Sequence, residues 1–197
     1  FNDVESGASV KGMGGRGETT IAFEYAKRQK SQYNHFLAIN GQDDMEMALL
    51  NDVLLLANLG LTEKIAPYLN DMRQNPKSDG KVQAIKLLLY TLGQLSKTVL
   101  FIIDDATANN LSLLKTWKNT LRNAHILVTS RSKSNNLNSF EIGTLSEPDA
   151  IRLFFSYYDI NNINYNKDTI TEEQKSIVQE IVHIACLHTL TIELLAK

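Results

Sequence analysis

The stretch Gly12-Met13-Gly14-Gly15-Arg16-Gly17-Glu18-Thr19-Thr20 decides how this chain is read. A short strand candidate, Ala8-Ser9-Val10, precedes it. A helix candidate, Thr19 to Gln29, follows, with Ile21, Ala22, Tyr25 and Ala26 on one face. Glycines let successive backbone N–H groups turn inward around an anion. The helix N-terminus beyond adds the positive end of its dipole. The spacing is that of a phosphate-binding loop, G-x-x-x-x-G-K-[ST], in the strand-to-helix context that such a loop requires. Gly12, Gly17 and Thr19 match it, and Gly14, Gly15, Arg16, Glu18 and Thr20 complete the expected phosphate-binding set. The Thr19 hydroxyl is expected on Mg2+. Glu18 stands where the pattern has lysine, so attraction for the outer phosphates becomes repulsion. Two unit charges about 4 Å apart interact by about 4 kcal/mol at an effective dielectric of about 20, so the exchange is expected to weaken ATP binding and hydrolysis.

Outward from the loop, strand and helix patterns alternate. His35 to Ile39 is a strand candidate, Met45 to Leu59 a strongly apolar helix, and Leu61 to Met72 and Val82 to Leu95 are further helices. Thr98 to Ile103 is almost wholly apolar, which suits a strand buried on both faces of a parallel sheet. Leu111 to Arg122 reads as a helix and His125 to Val128 as another buried strand. The alternation predicts an α/β fold, a parallel sheet flanked by helices. Two of these strands end in polar residues. Asp104-Asp105 closes the run Val99-Leu100-Phe101-Ile102-Ile103, and Thr129-Ser130-Arg131 closes Ile126-Leu127-Val128. In a phosphate-binding protein, Asp104 would hold Mg2+ through water and Asp105 would orient the attacking water. The other reading of this pair is a cap on the following turn. Arg131 is placed to sense or neutralise an outer phosphate, with Thr129 or Ser130 assisting; the other reading is a surface loop residue.

After Arg131 the character changes. Residues 132–138 are polar and loop-like, Ser146 and Asp149 form an approximate capping box, and Ala150 to Tyr158 is helical. An asparagine-rich loop at 161–166 precedes helices over Thr171 to Ala185 and Thr189 to Ala196. The boundary therefore falls near 133–145. A nucleotide-binding domain is expected over 1–133 and a small all-helical domain over 134–197. The chain opens on Phe1 and still reads as helix at Glu193 to Lys197, so a piece of a longer protein is expected, with the helical domain cut short.

Composition narrows the function classes. The chain has 197 residues, enough to bury a core without staples. At 43% hydrophobic and 21% charged it is neither disordered nor fibrous. Lys+Arg number 20 against 22 Asp+Glu, a balance that argues against broad electrostatic capture of nucleic acid or of anionic membrane. No apolar run approaches the roughly 18 residues of a membrane span. The single cysteine, Cys186, excludes an internal disulfide framework, so the cytoplasm is the expected compartment. His35, His125, His183 and His188 lack metal-ligand spacing and read as ordinary structural residues.

In order, Gly12 to Thr20, Leu100 to Ala106, Ile126 to Arg131 and Leu145 to Phe154 resemble the NB-ARC domains of STAND NTPases, which are related to AAA+ proteins. That family's loop reads GMGGxGKTT, its next strands LLVLDDV and ILVTTR, and its later motifs LSxxxAxxLF and GLPLALxLLA. The last is echoed by Leu187-His188-Thr189-Leu190-Thr191-Ile192-Glu193-Leu194-Leu195-Ala196, with Thr189 where the family has proline. The resemblance implies a P-loop NTPase domain followed by a helical domain, with ADP or ATP and Mg2+ bound. It implies a bacterial signalling switch in defence or a related pathway, which opens and forms a homo-oligomer when activated. Two other functions fit the residues: a nucleotide-dead interaction module that keeps the P-loop fold, and an AAA+ DNA-associated ATPase.

Overall fold

Every residue from Val99 to Ile103 is buried, and a strand hidden on both faces belongs inside a parallel sheet. The structure, a computed structural model, describes residues 7–95, 98–117, 119–121, 123–131, 137–161 and 170–197. Its sheet holds β1 (Gly7–Lys11), β2 (His35–Asn40), β3 (Val99–Asp104), β4 (Ala124–Ser130) and β5 (Asn138–Glu141) in the order β2-β3-β4-β1-β5. The pairs β2–β3, β3–β4 and β4–β1 are parallel. The register sets Val10 beside Thr129, Lys11 beside Ser130 and Ile103 beside Val128. Three strands therefore end in nearly the same row. From the neighbours β1 and β4 the chain departs in opposite directions along the sheet, to β2 and to β5. Open α/β sheets bind ligands at the carboxyl ends of such strands.

The strands alternate with α1 (Glu18–Arg28), α2 (Met45–Leu50), α3 (Val53–Asn58), α4 (Thr62–Gln74), α5 (Gly80–Gly93) and α6 (Ala108–Trp117). Alternate strand residues divide between the faces of the sheet. Val99, Phe101, Ile103, Ile126 and Val128 join a core with Leu49, Ile65, Leu88, Leu92 and Trp117. Leu100 and Ile102 are equally buried between them.

The single helix expected over Met45 to Leu59 is two short ones. The Asp52 carboxylate accepts from the Leu55 N–H at 2.9 Å and caps α3, so the chain turns at Asn51-Asp52. A capping Asp offers the backbone an alternative to continuing the helix. Leu55 and Leu56 go inward while Val53 and Leu54 stay 70% and 76% exposed. The helix expected to reach Arg122 ends at Trp117. There the Thr120 and Leu121 N–H groups both turn back to the Trp117 carbonyl. The loop expected at 132–138 and the asparagine-rich loop at 161–166 lie mostly outside the described residues. Within them, Asn138 opens β5, a strand that the sequence pattern did not announce, and Asn161 closes α7.

Contacts divide the chain into two units, residues 1–11 with 19–140, and residues 12–18 with 141–197. In the second unit α7 (Glu147–Asn161), α8 (Glu172–Ile184) and α9 (Thr189–Ala196) bury Ala150, Phe154, Phe155, Val178, Val182, Ala185 and Ile192 together. Ser146 caps α7 by accepting from the Asp149 N–H at 3.3 Å. Thr171 and Gln174 exchange bonds of 2.9 and 3.2 Å in a capping box on α8. Among the described residues, no helix is long and apolar enough to cross a membrane.

Candidate functional site

In the first unit the chemistry gathers where β3 and β4 end. Asp104, the last residue of β3, accepts from the Thr19 hydroxyl at 2.7 Å and from the Thr129 hydroxyl at 2.5 Å on the same oxygen, Oδ1. Thr19 comes from the first turn of α1 and Thr129 from β4. The Thr129 hydroxyl also accepts from the Asp105 N–H at 2.8 Å, and its carbonyl accepts from the Ala106 N–H at 2.8 Å. This double hold carries the chain through Asp105, which sits at φ 53, a left-handed conformation rare for a residue with a side chain. The turn thereby sends the two neighbouring carboxylates to different partners.

Asp105 meets Gln42 and Arg131. The Gln42 side-chain amide donates to the Asp105 carbonyl at 3.1 Å and to its carboxylate at 3.0 Å. The Arg131 Nε lies 3.7 Å from Asp105 Oδ1, with the Arg131 side chain 77% exposed. An ion pair that open contributes little in water, so the guanidinium can leave Asp105 for another anion at small cost. Gln42 also lines a cavity of about 360 Å3 with Asp43, Asp44, Asn109 and Asn110. Among the described residues, no group of three or more His, Cys, Asp or Glu side chains gathers at a metal-binding distance. The Thr19 hydroxyl and the Asp104 carboxylate are hard oxygen donors. They fit Mg2+, which keeps several waters and takes one or two carboxylates from a protein.

The glycine loop groups with the helical unit. It is braced internally by the Arg16 N–H donating to the Met13 carbonyl at 3.2 Å. Glu18 folds back so that its carboxylate lies over Gly12, in the space that a Cβ there would take. It also places a negative charge at the first turn of α1, where a bound phosphate would place its own. The Arg16 Nη1 donates to the Ile142 carbonyl at 2.9 Å, while its buried Nε has no partner among the described residues. A Cβ on Gly14 or on Gly17 would meet open space among the described residues, and Gly17 lies at φ 101. Thr20 is exposed on α1.

Of the residues named from sequence, the structure joins Thr19, Asp104, Asp105 and Arg131 in one hydrogen-bonded and ionic cluster. It sets Gly12, Gly14, Gly15, Arg16, Gly17 and Glu18 in another. The sequence reading passed over Gln42, whose residue type and position match no motif. It also passed over the bonds of 188–190 to the glycine loop. The only signal for these was the departure from the family motif at Thr189.

No family model matches the chain, and no curated protein sequence matches it. Solved structures do. One is a Signal Transduction ATPase with Numerous Domains (STAND) protein with a tetratricopeptide repeat sensor, from Pyrococcus horikoshii. It matches at TM-score 0.57 and 16% identity over 96% of this chain and 27% of its own. PCH-2 of C. elegans matches at TM-score 0.56 and 16% identity, over 99% of this chain and 54% of its own. The chain thus spans about a quarter and about half of the lengths of these two proteins. The fold is an α/β P-loop fold, a parallel sheet flanked by helices.

Proposed function

We propose that this chain is the nucleotide-binding core of a STAND-type switch that takes adenine nucleotide with Mg2+. The observation that carries the reading is the contact of the Thr19 hydroxyl with the Asp104 carboxylate at 2.7 Å, the two oxygen donors that a Mg2+-nucleotide needs from the protein. Support comes from the P-loop fold, from the motif order and from the STAND neighbour. In this reading the loop amides take the phosphates, and Mg2+ lies on Thr19 and Asp104. Asp105 directs a water, and Arg131 swings to the outer phosphate. The longer protein would act in the cytoplasm of a bacterium and form homo-oligomers when activated. Glu18 limits the site: it repels the outer phosphates, so ADP is favoured over ATP and hydrolysis is slow.

A second reading, an interaction module with a dead nucleotide site, is favoured by the Glu18 carboxylate lying over Gly12. Calorimetric titration of ADP and ATP, each with Mg2+, into this chain and into Glu18→Lys separates the two. The expected result is ADP binding by both forms, with ATP tightening about tenfold or more on Glu18→Lys. Absence of binding to either form, by either nucleotide, would sink the switch reading in favour of the interaction module.

A further inference from the structure

We infer that residues 188–190 position the glycine loop for its anion by pinning three consecutive loop carbonyls; this rests on the nucleotide reading above. All of these contacts lie within the second unit. The His188 Nε2 meets the Gly14 carbonyl at 3.1 Å, the Leu190 N–H donates to the Gly15 carbonyl at 3.0 Å, and the Thr189 hydroxyl donates to the Arg16 carbonyl at 3.4 Å.

The imidazole is satisfied at both nitrogens in one neutral form. A carbonyl only accepts, so Nε2 carries the hydrogen. Nδ1 is then the acceptor, facing the Thr191 N–H at 3.4 Å and the Thr191 hydroxyl at 3.0 Å. His188 thus caps α9 with one nitrogen and holds the loop with the other. The Leu190 N–H lies in the first turn of α9 and has no partner inside the helix, so the Gly15 carbonyl supplies it. The fit needs glycine at 15. A Cβ there would lie 2.9 Å from the Leu190 Cβ and 3.0 Å from the His188 Cε1, and φ is +86°.

A trans peptide is planar, so a carbonyl pinned one way sends the next N–H the opposite way. Pinning Gly14, Gly15 and Arg16 therefore turns the N–H groups of Gly15, Arg16 and Gly17 away from α9. The Arg16 N–H is spent on Met13. Those of Gly15 and Gly17 have no acceptor among the described residues. Fixed and unpaired donors of this kind suit the oxygens of a phosphate group. The coupling is reciprocal: if α9 orders the loop for an anion, the anion steadies the start of α9.

The test is the double variant His188→Asn with Thr189→Val. Asn is a good cap acceptor for α9 but is too short to reach Gly14, and Val keeps the shape of Thr without its hydroxyl. Amide exchange at Leu190, measured without ligand, should quicken about tenfold or more in the variant. Val182, 0% exposed in α8, should keep its rate and so report an intact fold. Calorimetry should show Mg2+-ADP binding weakened about tenfold. Equal Mg2+-ADP affinity in the two forms overturns the positioning role, as does a Leu190 amide in the unaltered chain that exchanges as fast as an exposed one. If the unaltered chain binds neither ADP nor ATP, the nucleotide reading falls instead. Leu190 protection then still upholds or overturns the pinning of the loop.

Discussion

Ser9 is fully buried in β1, opposite Val128 of β4, and its hydroxyl has no hydrogen-bond partner among the described residues. A buried hydroxyl without a partner costs about 1–3 kcal/mol. Ser9→Ala removes that cost and leaves only a small void, so it is expected to stabilise the chain by about 1 kcal/mol, read as a raised denaturant midpoint. A lowered midpoint would mean that the hydroxyl has a use that the geometry does not disclose. Thr19, Asp104 and Thr129 are the opposite case. They spend their polar atoms on one another, which holds two oxygen donors ready at the strand ends. The positions of Thr19 and Asp104 were legible from sequence, since one lies in the first turn of a helix and the other closes a strand in motifs of fixed spacing. The role of Thr129 in carrying the chain through the left-handed Asp105 was not legible, because it depends on the β3–β4 pairing.

Among the elements, β3 was readable because burial on both faces demands an unbroken apolar run, and Val99 to Ile103 supplies one. β5 was not, because all four of its residues are exposed and no alternation marks Asn138-Ser139-Phe140-Glu141 as a strand. The break between α2 and α3 was hidden by the run Val53 to Leu56, whose apolar character continues the helical pattern across Asp52. Asp52 is the residue that decides there. Asp52→Ala is expected to cost about 1 kcal/mol, the usual loss for a side-chain cap, measured by chemical denaturation. No loss of stability would mean that packing of Leu55 and Leu56 alone fixes the turn. The glycine loop was legible as a strand-to-helix connection, but its hold by 188–190 was not, since those residues are distant in sequence and only the fold unites them.

For the molecule as a whole, His125 sets a pH dependence. It lies in β4 with its Nδ1 at 2.8 Å from the Tyr33 hydroxyl and the Tyr33 ring edge-on to it. Burial lowers its pKa below the ordinary histidine value. The unfolded chain therefore takes up a proton first, near pH about 6.5. Stability from this group is full above that pH and is lost as the pH falls toward the folded-state pKa. Thermal midpoints followed from about pH 8 to about pH 5 are expected to decline below about pH 6.5, less steeply in His125→Gln. Identical slopes in the two proteins would show that other groups set the acid response.

The strand order also has a consequence for the time course of assembly. β1 carries the chain into the glycine loop, yet its neighbours in the sheet are β4 and β5. Gly7 is the register partner of Ile126. As the chain is synthesised, β2, β3 and the helices between them are all available before any strand exists for β1 to join. The segment that leads into the glycine loop is thus made before its sheet partners and paired late. Closing the long loop between residues 7 and 126 must wait until the β4 end of the sheet has formed, a non-local step of the kind that slows folding.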